Sequence, residues 1–255
     1  MIFDKIFFYM RNDRQVFDEK IPARKLITKK FWHEKDSEEL FIILPPWGGR
    51  LQLNFFLRKE LLRRGHSFLE YEFPEAILSS NWEATLENFS KIRDGITKEI
   101  ERIKKKHKFK KINLIGVSIG CVNTCMIANN NSFIDELLLI IPGRCLAESM
   151  WRGISTQQIR KVYEKNGINL KKLKKYWRSL APENNINKLK AKKISVFLSK
   201  ADVIIPFHCG KKLVEEMKAF KYNIFYKDNN FLGHNLTALS FYLRPGKYLF
   251  DKWGA

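Results

Sequence analysis

Lys111-Ile112-Asn113-Leu114-Ile115-Gly116-Val117-Ser118-Ile119-Gly120-Cys121-Val122-Asn123-Thr124-Cys125-Met126-Ile127-Ala128 passes from strand to helix through one short turn. Its first five residues form a short, largely apolar run, the pattern of a buried strand. Gly116 to Gly120 makes a turn with Ser118 at its centre, and Cys121 to Ala128 starts a helix at once. A chain that passes so sharply from strand to helix crowds the positions two residues either side of the turn, so side chains there would collide. Gly116 and Gly120 answer that need. The serine is then held at the tip of the turn, ahead of the N–H groups and the positive dipole end of the new helix.

The same rhythm repeats on both sides of this unit. Upstream, Phe41-Ile42-Ile43-Leu44 reads as a buried strand stopped by Pro45-Pro46 and Gly48-Gly49. Leu51 to Arg64 has apolar residues at helical spacing (Leu53, Phe56, Leu57, Leu61), ended by Gly65. Phe68 to Phe73 is the next strand, and about Trp82 to Lys106 a long amphipathic helix. Downstream, strands are predicted at Glu136–Ile141, Ile194–Leu198 and Tyr222–Tyr226, with helices at about Phe207–Phe220 and Leu236–Trp253. Residues 1–39 mix aromatics with charge and are predicted to give short antiparallel strands at the sheet edge. Strands alternating with helices predict an α/β fold, a mostly parallel sheet covered on both faces. From about 143 to 185 the rhythm breaks into polar, basic sequence with short helices near 155–165 and 170–180. That predicts one domain over 1–255 with a small helical cap inserted.

Composition narrows the function classes. A chain of 255 residues with 45% hydrophobic and 13% aromatic content can bury a large core, which excludes a disordered chain. No apolar run reaches the roughly 18 residues of a membrane span. The amino terminus carries an early acid and lacks a long apolar core, so it does not read as a signal peptide. The formal charge of +20 comes mostly from lysines spread along the chain. It reads as a solvated basic surface, able to make weak contact with anionic surfaces but not a specific nucleic-acid reader. The denser blocks are Lys104–Lys108 and Lys171–Lys175. Cys121, Cys125, Cys145 and Cys209 are too sparse for a disulfide scaffold and lack metal-ligand spacing. They read as packed free thiols in a reducing, cytoplasmic compartment, with no metal and no cofactor implied.

Ser118 gains chemical meaning from two residues further along the chain. Asp202 stands just past the strand 194–198, in Lys200-Ala201-Asp202-Val203-Ile204-Ile205-Pro206. An acid able to orient a base belongs there; the competing readings are a turn or N-cap aspartate, or Asp228 or Glu183 as the acid instead. His234, in Phe231-Leu232-Gly233-His234-Asn235, is the one histidine of five with the right order and loop setting. His208 follows Asp202 too closely, His66 opens a strand, and His33 and His107 precede the serine. Serine, acid and histidine in that order compose a nucleophile, an orienting group and a general base. An oxyanion formed at the serine would meet the backbone N–H of Ile119 and a second amide from Pro45-Pro46-Trp47-Gly48-Gly49, with Trp47 the first choice and Gly48 the second.

On these residues the sequence resembles the α/β-hydrolase superfamily from about residue 40 to 250. Pro45–Gly49, Gly116–Gly120, Leu180–Ile186, Ala201–Pro206 and Gly233-His234 carry the likeness. One departure is visible: many members place His-Gly where this chain has Pro45-Pro46, and Pro46 has no N–H to give. The resemblance implies a serine hydrolase that cleaves a carboxylic ester or thioester through an acyl-enzyme. The same triad would serve an acyltransferase, and a polyanion-binding protein retaining the fold is a third reading. For the cap, Met150, Trp151, Tyr163, Tyr176 and Trp177 are expected either to line an acyl pocket or to pack the cap onto the core.

Overall fold

The computed structural model describes residues 28–250. Among these residues, seven strands form one sheet: β1 Thr28–Trp32, β2 Glu39–Leu44, β3 Ser67–Glu72, β4 Lys111–Val117, β5 Glu136–Ile140, β6 Lys193–Ser199 and β7 Ile224–Asn229. Their spatial order is β1-β3-β2-β4-β5-β6-β7, and only the β1–β3 pair is antiparallel. The predicted antiparallel edge is thus present in β1; the part of that expectation covering residues 1–27 lies outside the described residues.

The central strands are buried almost end to end because both sheet faces are covered. Successive residues feed opposite cores, as the pleat demands. Leu40, Ile42, Ile112 and Leu114 face one core, which holds Phe89, Ile92 and Ile96 of helix α2 (Trp82–Lys106) and Val122 and Met126 of α3 (Gly120–Asn130). Phe41, Ile43, Ile115 and Val117 face the other, against Leu57 and Leu61 of α1 (Phe55–Arg63) and Phe241 of α8 (His234–Leu243). A charged residue opens each of β2, β4, β5 and β6: Glu39 registers with Lys111, Glu136 with Lys193, and Lys111 Nζ reaches Glu136 Oε1 at 2.9 Å. The amino ends of the strands are therefore a polar row, while loops carrying Trp47, Ser118, Asp202 and His234 leave the opposite, carboxyl ends.

Between β5 and β6 lie α4 (Leu146–Arg152), α5 (Gln157–Lys165) and α6 (Leu170–Tyr176). The first of these helices was not anticipated. Met150, Tyr163 and Trp177 are buried in the main core. Tyr163 Oη donates to Ser79 O at 2.7 Å, and Trp177 Nε1 to Trp82 O at 2.9 Å. Trp82 and Tyr176 stack with ring centroids 4.0 Å apart. Of the two roles expected for these aromatics, packing the insertion onto the domain is the one they occupy.

Other boundaries moved for definable reasons. The helix expected from Leu51 is a 3-10 turn, Leu51–Asn54, before α1, so Leu53 and Phe56 are exposed rather than core-facing. The last helix is broken: α8 ends at Leu243, and Pro245 opens a new short helix, α9 (Pro245–Leu249), because proline cannot continue the hydrogen-bond ladder. The expected end at Trp253 lies outside the described residues. Strand β7 runs to Asn229, three residues beyond its expected end, so Asp228 sits within a strand and pairs with Leu198. Helix α7 spans Phe207–Ala219.

Candidate active site

Ser118 sits between β4 and α3 with φ +54°, a left-handed conformation that costs a non-glycine residue on the order of 1–3 kcal/mol. Surrounding bonds hold it there. The Ser118 N–H donates to Ile140 O at 2.9 Å, and the Cys121 N–H returns to Ser118 O at 3.0 Å. The Cys121 thiol donates to Gly116 O at 3.2 Å. Both motif glycines are sterically required. A Cβ on Gly116 would stand 2.4 Å from Thr124 Oγ1 and 2.8 Å from Cys121 Cα. A Cβ on Gly120 would stand 2.3 Å from Leu44 O and 2.6 Å from Pro45 O. The root of the Pro45–Gly49 loop therefore passes directly over the start of α3. Gly120→Ala is expected to cost about 2–4 kcal/mol, because backbone rather than a mobile side chain must move. Urea unfolding of the variant against wild type measures it; a loss under about 1 kcal/mol would show that the backbone here yields readily.

The pieces predicted from sequence meet here. His234, the first residue of α8, follows Gly233, whose φ of +50° is readily available only without a side chain. The histidine is buried, with Nδ1 2.7 Å from Asp202 Oδ2 and Nε2 2.9 Å from Ser118 Oγ. A carboxylate only accepts, so Nδ1 carries the proton and Nε2 presents its lone pair to the serine hydroxyl. Asp202 is also buried, and its other oxygen, Oδ1, accepts the N–H groups of Ile204 and Ile205 at 2.9 and 2.8 Å. The competing turn reading of Asp202 is thus also realised: one oxygen shapes the loop while the other meets the histidine. Those two amides were not singled out from sequence, although Asp followed by free amides two and three residues on is an Asx-turn pattern.

Of the rival acids, Asp228 is engaged elsewhere. Asp228 Oδ2 accepts from Tyr226 Oη at 2.5 Å, and Lys200 Nζ is 3.5 Å from Oδ1. Glu183 lies in the Pro182–Asn184 turn ahead of β6, where burial pushes its carboxyl pKa up. His208 lies in the first turn of α7 beside Cys209, with Nε2 3.4 Å from its sulfur.

The loop with the candidate second amide is a tight turn: the Gly49 N–H donates to Pro46 O at 2.9 Å, and Gly48 has φ +64°. That is the positive φ a type II turn needs at its third position. Trp47 Nε1 donates to Glu75 O at 2.5 Å, which anchors the indole away from the turn's backbone. On the other side, the first turn of α3 consumes the amides of Cys121 and Val122, at 3.0 and 3.1 Å, while the Ile119 N–H stands outside these bonds.

All four cysteines are free and buried. Burial raises the Cys121 thiol well above its usual pKa and pushes Cys125 up to about 12, so neither supplies a thiolate nucleophile. Among the described residues no cluster of three or more His, Cys, Asp or Glu side chains could hold a metal ion. Among them too, no helix is long and apolar enough to cross a membrane.

No protein-family model and no curated protein matches the chain. Solved structures do. Est1E from Butyrivibrio proteoclasticus, in complex with ferulic acid, aligns at 12% identity over 92% of this chain and 99% of its own, with a TM-score of 0.62. An acylaminoacyl peptidase from Pyrococcus horikoshii aligns at 13% identity over 94% of this chain and 44% of its own, at 0.66. An acetyl xylan esterase from Paenibacillus sp. R4 aligns at 12% identity over 82% and 74%, at 0.64. At such identities the likeness is one of fold, and with the strand order and the strand-turn-helix around Ser118 it gives a plain result: the chain has the α/β-hydrolase fold.

Proposed function

We propose that this protein is a serine hydrolase that cleaves carboxylic esters or thioesters through an acyl-enzyme, with Ser118 as nucleophile, His234 as general base and Asp202 as its orienting acid. One observation carries the reading: the unbroken hydrogen-bonded series from Asp202 Oδ2 through both His234 nitrogens to Ser118 Oγ, at 2.7 and 2.9 Å. Fold alone would not support it, since one fold serves many functions.

The chemistry follows from that geometry. His234 Nε2 takes the Ser118 hydroxyl proton as Oγ bonds to the substrate carbonyl carbon. The imidazolium is stabilised by the Asp202 carboxylate, which keeps its negative charge. The tetrahedral oxyanion is assigned to the N–H groups of Ile119 and Trp47, the second being supported by the close pass of Leu44 and Pro45 over Gly120. His234 returns the proton to the departing alkoxide or thiolate as that bond breaks. Water then repeats the cycle: His234 accepts its proton, hydroxide oxygen bonds to the acyl carbon, and Ser118 leaves with the proton restored.

The substrate is read as a small acyl ester or thioester, with the helical insertion as a cap over the 1–255 domain. The esterase among the similar folds supports this, while the peptidase among them makes amides the alternative. Four buried free thiols fit a reducing, cytoplasmic setting. The basic surface is assigned no specific partner beyond weak anionic contact. A panel of p-nitrophenyl esters, acyl thioesters and acylaminoacyl amides tests the reading, with and without an added alcohol acceptor. Ester or thioester turnover to free acid is expected. Product appearing mainly as the acylated acceptor would make the protein an acyltransferase on the same residues, and amide-only turnover would replace the esterase reading.

A further inference from the structure

We propose that Asn229 is a positioning residue that sets the Asp202–His234 hydrogen bond by clamping their two loops together; the inference rests on the serine-hydrolase reading above. Asn229 is the last residue of β7 and registers with Ser199, the last residue of β6. Beyond this pair the strands diverge into the loops that carry Asp202 and His234. Its side chain is fully committed at that fork. Nδ2 donates to Leu198 O at 3.1 Å and to Thr237 Oγ1 at 3.0 Å, while Oδ1 accepts the Leu232 N–H at 2.9 Å. Its own carbonyl accepts the Lys200 N–H at 2.8 Å. A carbonyl can only accept and an N–H only donate, so these partners fix which amide atom is which.

The clamp reaches the histidine from both sides. Leu232 precedes Gly233 and His234, and Thr237 lies one turn into α8. Thr237 is buried, and its Oγ1 donates in turn to Gly233 O at 2.6 Å. Gly233, the conformationally permissive residue next to the general base, is thus bracketed by Leu232 and Thr237, and both are tied to Asn229. The tie to Leu198 O places this assembly against the strand that delivers Asp202. One amide therefore spans the acid's strand, the histidine's loop and the histidine's helix, without touching substrate or the reacting atoms.

Polarity rather than bulk is the predicted determinant. Asn229→Asp keeps the shape but turns an oxygen toward Leu198 O, opposing two acceptors. A displacement of the base by about 1 Å is enough to cost on the order of 10²-fold, so Asn229→Asp is expected to lower kcat for p-nitrophenyl acetate by roughly 10- to 100-fold. KM should stay within about threefold, since ground-state binding is not the interaction removed. Thr237→Val, which deletes both hydroxyl bonds at equal size, should lower kcat likewise, and Thr237→Ser should restore it. The low-field proton resonance of His234 Nδ1–H gives a readout independent of turnover: present in wild type and Thr237→Ser, lost or broadened in Asn229→Asp and Thr237→Val. Should Asn229→Asp fail to fold, Thr237→Val carries the same test.

Unchanged kcat and an unchanged resonance in a folded Asn229→Asp protein would overturn the clamp while Ser118-dependent turnover upheld the hydrolase reading. A wild type without turnover, whose resonance is nevertheless lost in Asn229→Asp, would uphold the clamp and overturn the hydrolase reading.

Discussion

Ser118→Ala is expected to lower kcat for the best ester in the panel by on the order of 10⁶, with the protein still folded. On the proposed mechanism the effect is large because the hydroxyl is the attacking atom, and with it gone neither His234 nor the proposed oxyanion amides have a covalent step to assist. A residual rate above that in water should survive, since the amides and the binding surface still act on a carbonyl. The stability change should be small. Alanine at φ +54° has much the same backbone strain as serine there, and the side-chain bond it forfeits is the one to His234. Thermal unfolding alongside kinetics separates the two effects. A variant that keeps more than about one-hundredth of wild-type kcat would exclude Ser118 as the nucleophile.

Asp202→Asn is the second large effect, expected to lower kcat by on the order of 10⁴. In the native site Oδ1 is occupied by the Ile204 and Ile205 amides, which fixes Oδ2 toward His234 Nδ1. An asparagine that keeps its oxygen on those two amides must present its NH₂ to the imidazole. Nδ1 would then have to accept, the proton would move to Nε2, and the ring would face Ser118 Oγ with a donor where a base is needed. Asp228→Asn is the matched control, because its carboxylate is bound by Tyr226 and Lys200 rather than by the histidine. It should change kcat less than about threefold. The opposite ranking would transfer the acid's role to Asp228.

How much of this was legible in the sequence depended on how each feature is written in it. Buried parallel strands appear as apolar runs that stop abruptly. The ends of β2, β4 and β6 are therefore legible to within two residues, β4 running on through Gly116 and Val117 and β6 through Ser199, and with them the loops holding Trp47, Ser118 and Asp202. β7 outruns its apolar pattern because it is an edge strand with one neighbour: its Tyr226-Lys227-Asp228-Asn229 stretch is polar and only partly buried. Read from the sequence, Asp228 therefore falls in a loop, whereas in the fold it lies within the strand. The 3-10 turn at Leu51–Asn54 turned Leu53 and Phe56 outward, although their spacing fits an unbroken helix. Nor does spacing reveal that Asp202 divides its two oxygens between a loop and a histidine. The Asn229 clamp joins residues of three elements through backbone carbonyls and amides, and backbone partners leave no mark on residue identity. Pro46 is informative in the other direction, since a missing N–H can be read from the sequence and moves the proposed second oxyanion donor further along the loop.

Covalent capture distinguishes an activated serine from an ordinary hydroxyl. The full chain is treated with a fluorophosphonate, digested, and the modified residue located by mass spectrometry. An activated serine bonds to phosphorus as fluoride leaves, whereas an ordinary hydroxyl does not react on the same timescale. The site described here predicts one stoichiometric adduct, on Ser118, absent from Ser118→Ala and slowed by orders of magnitude in His234→Ala. An unlabelled wild type, or a label that persists in Ser118→Ala, would contradict it.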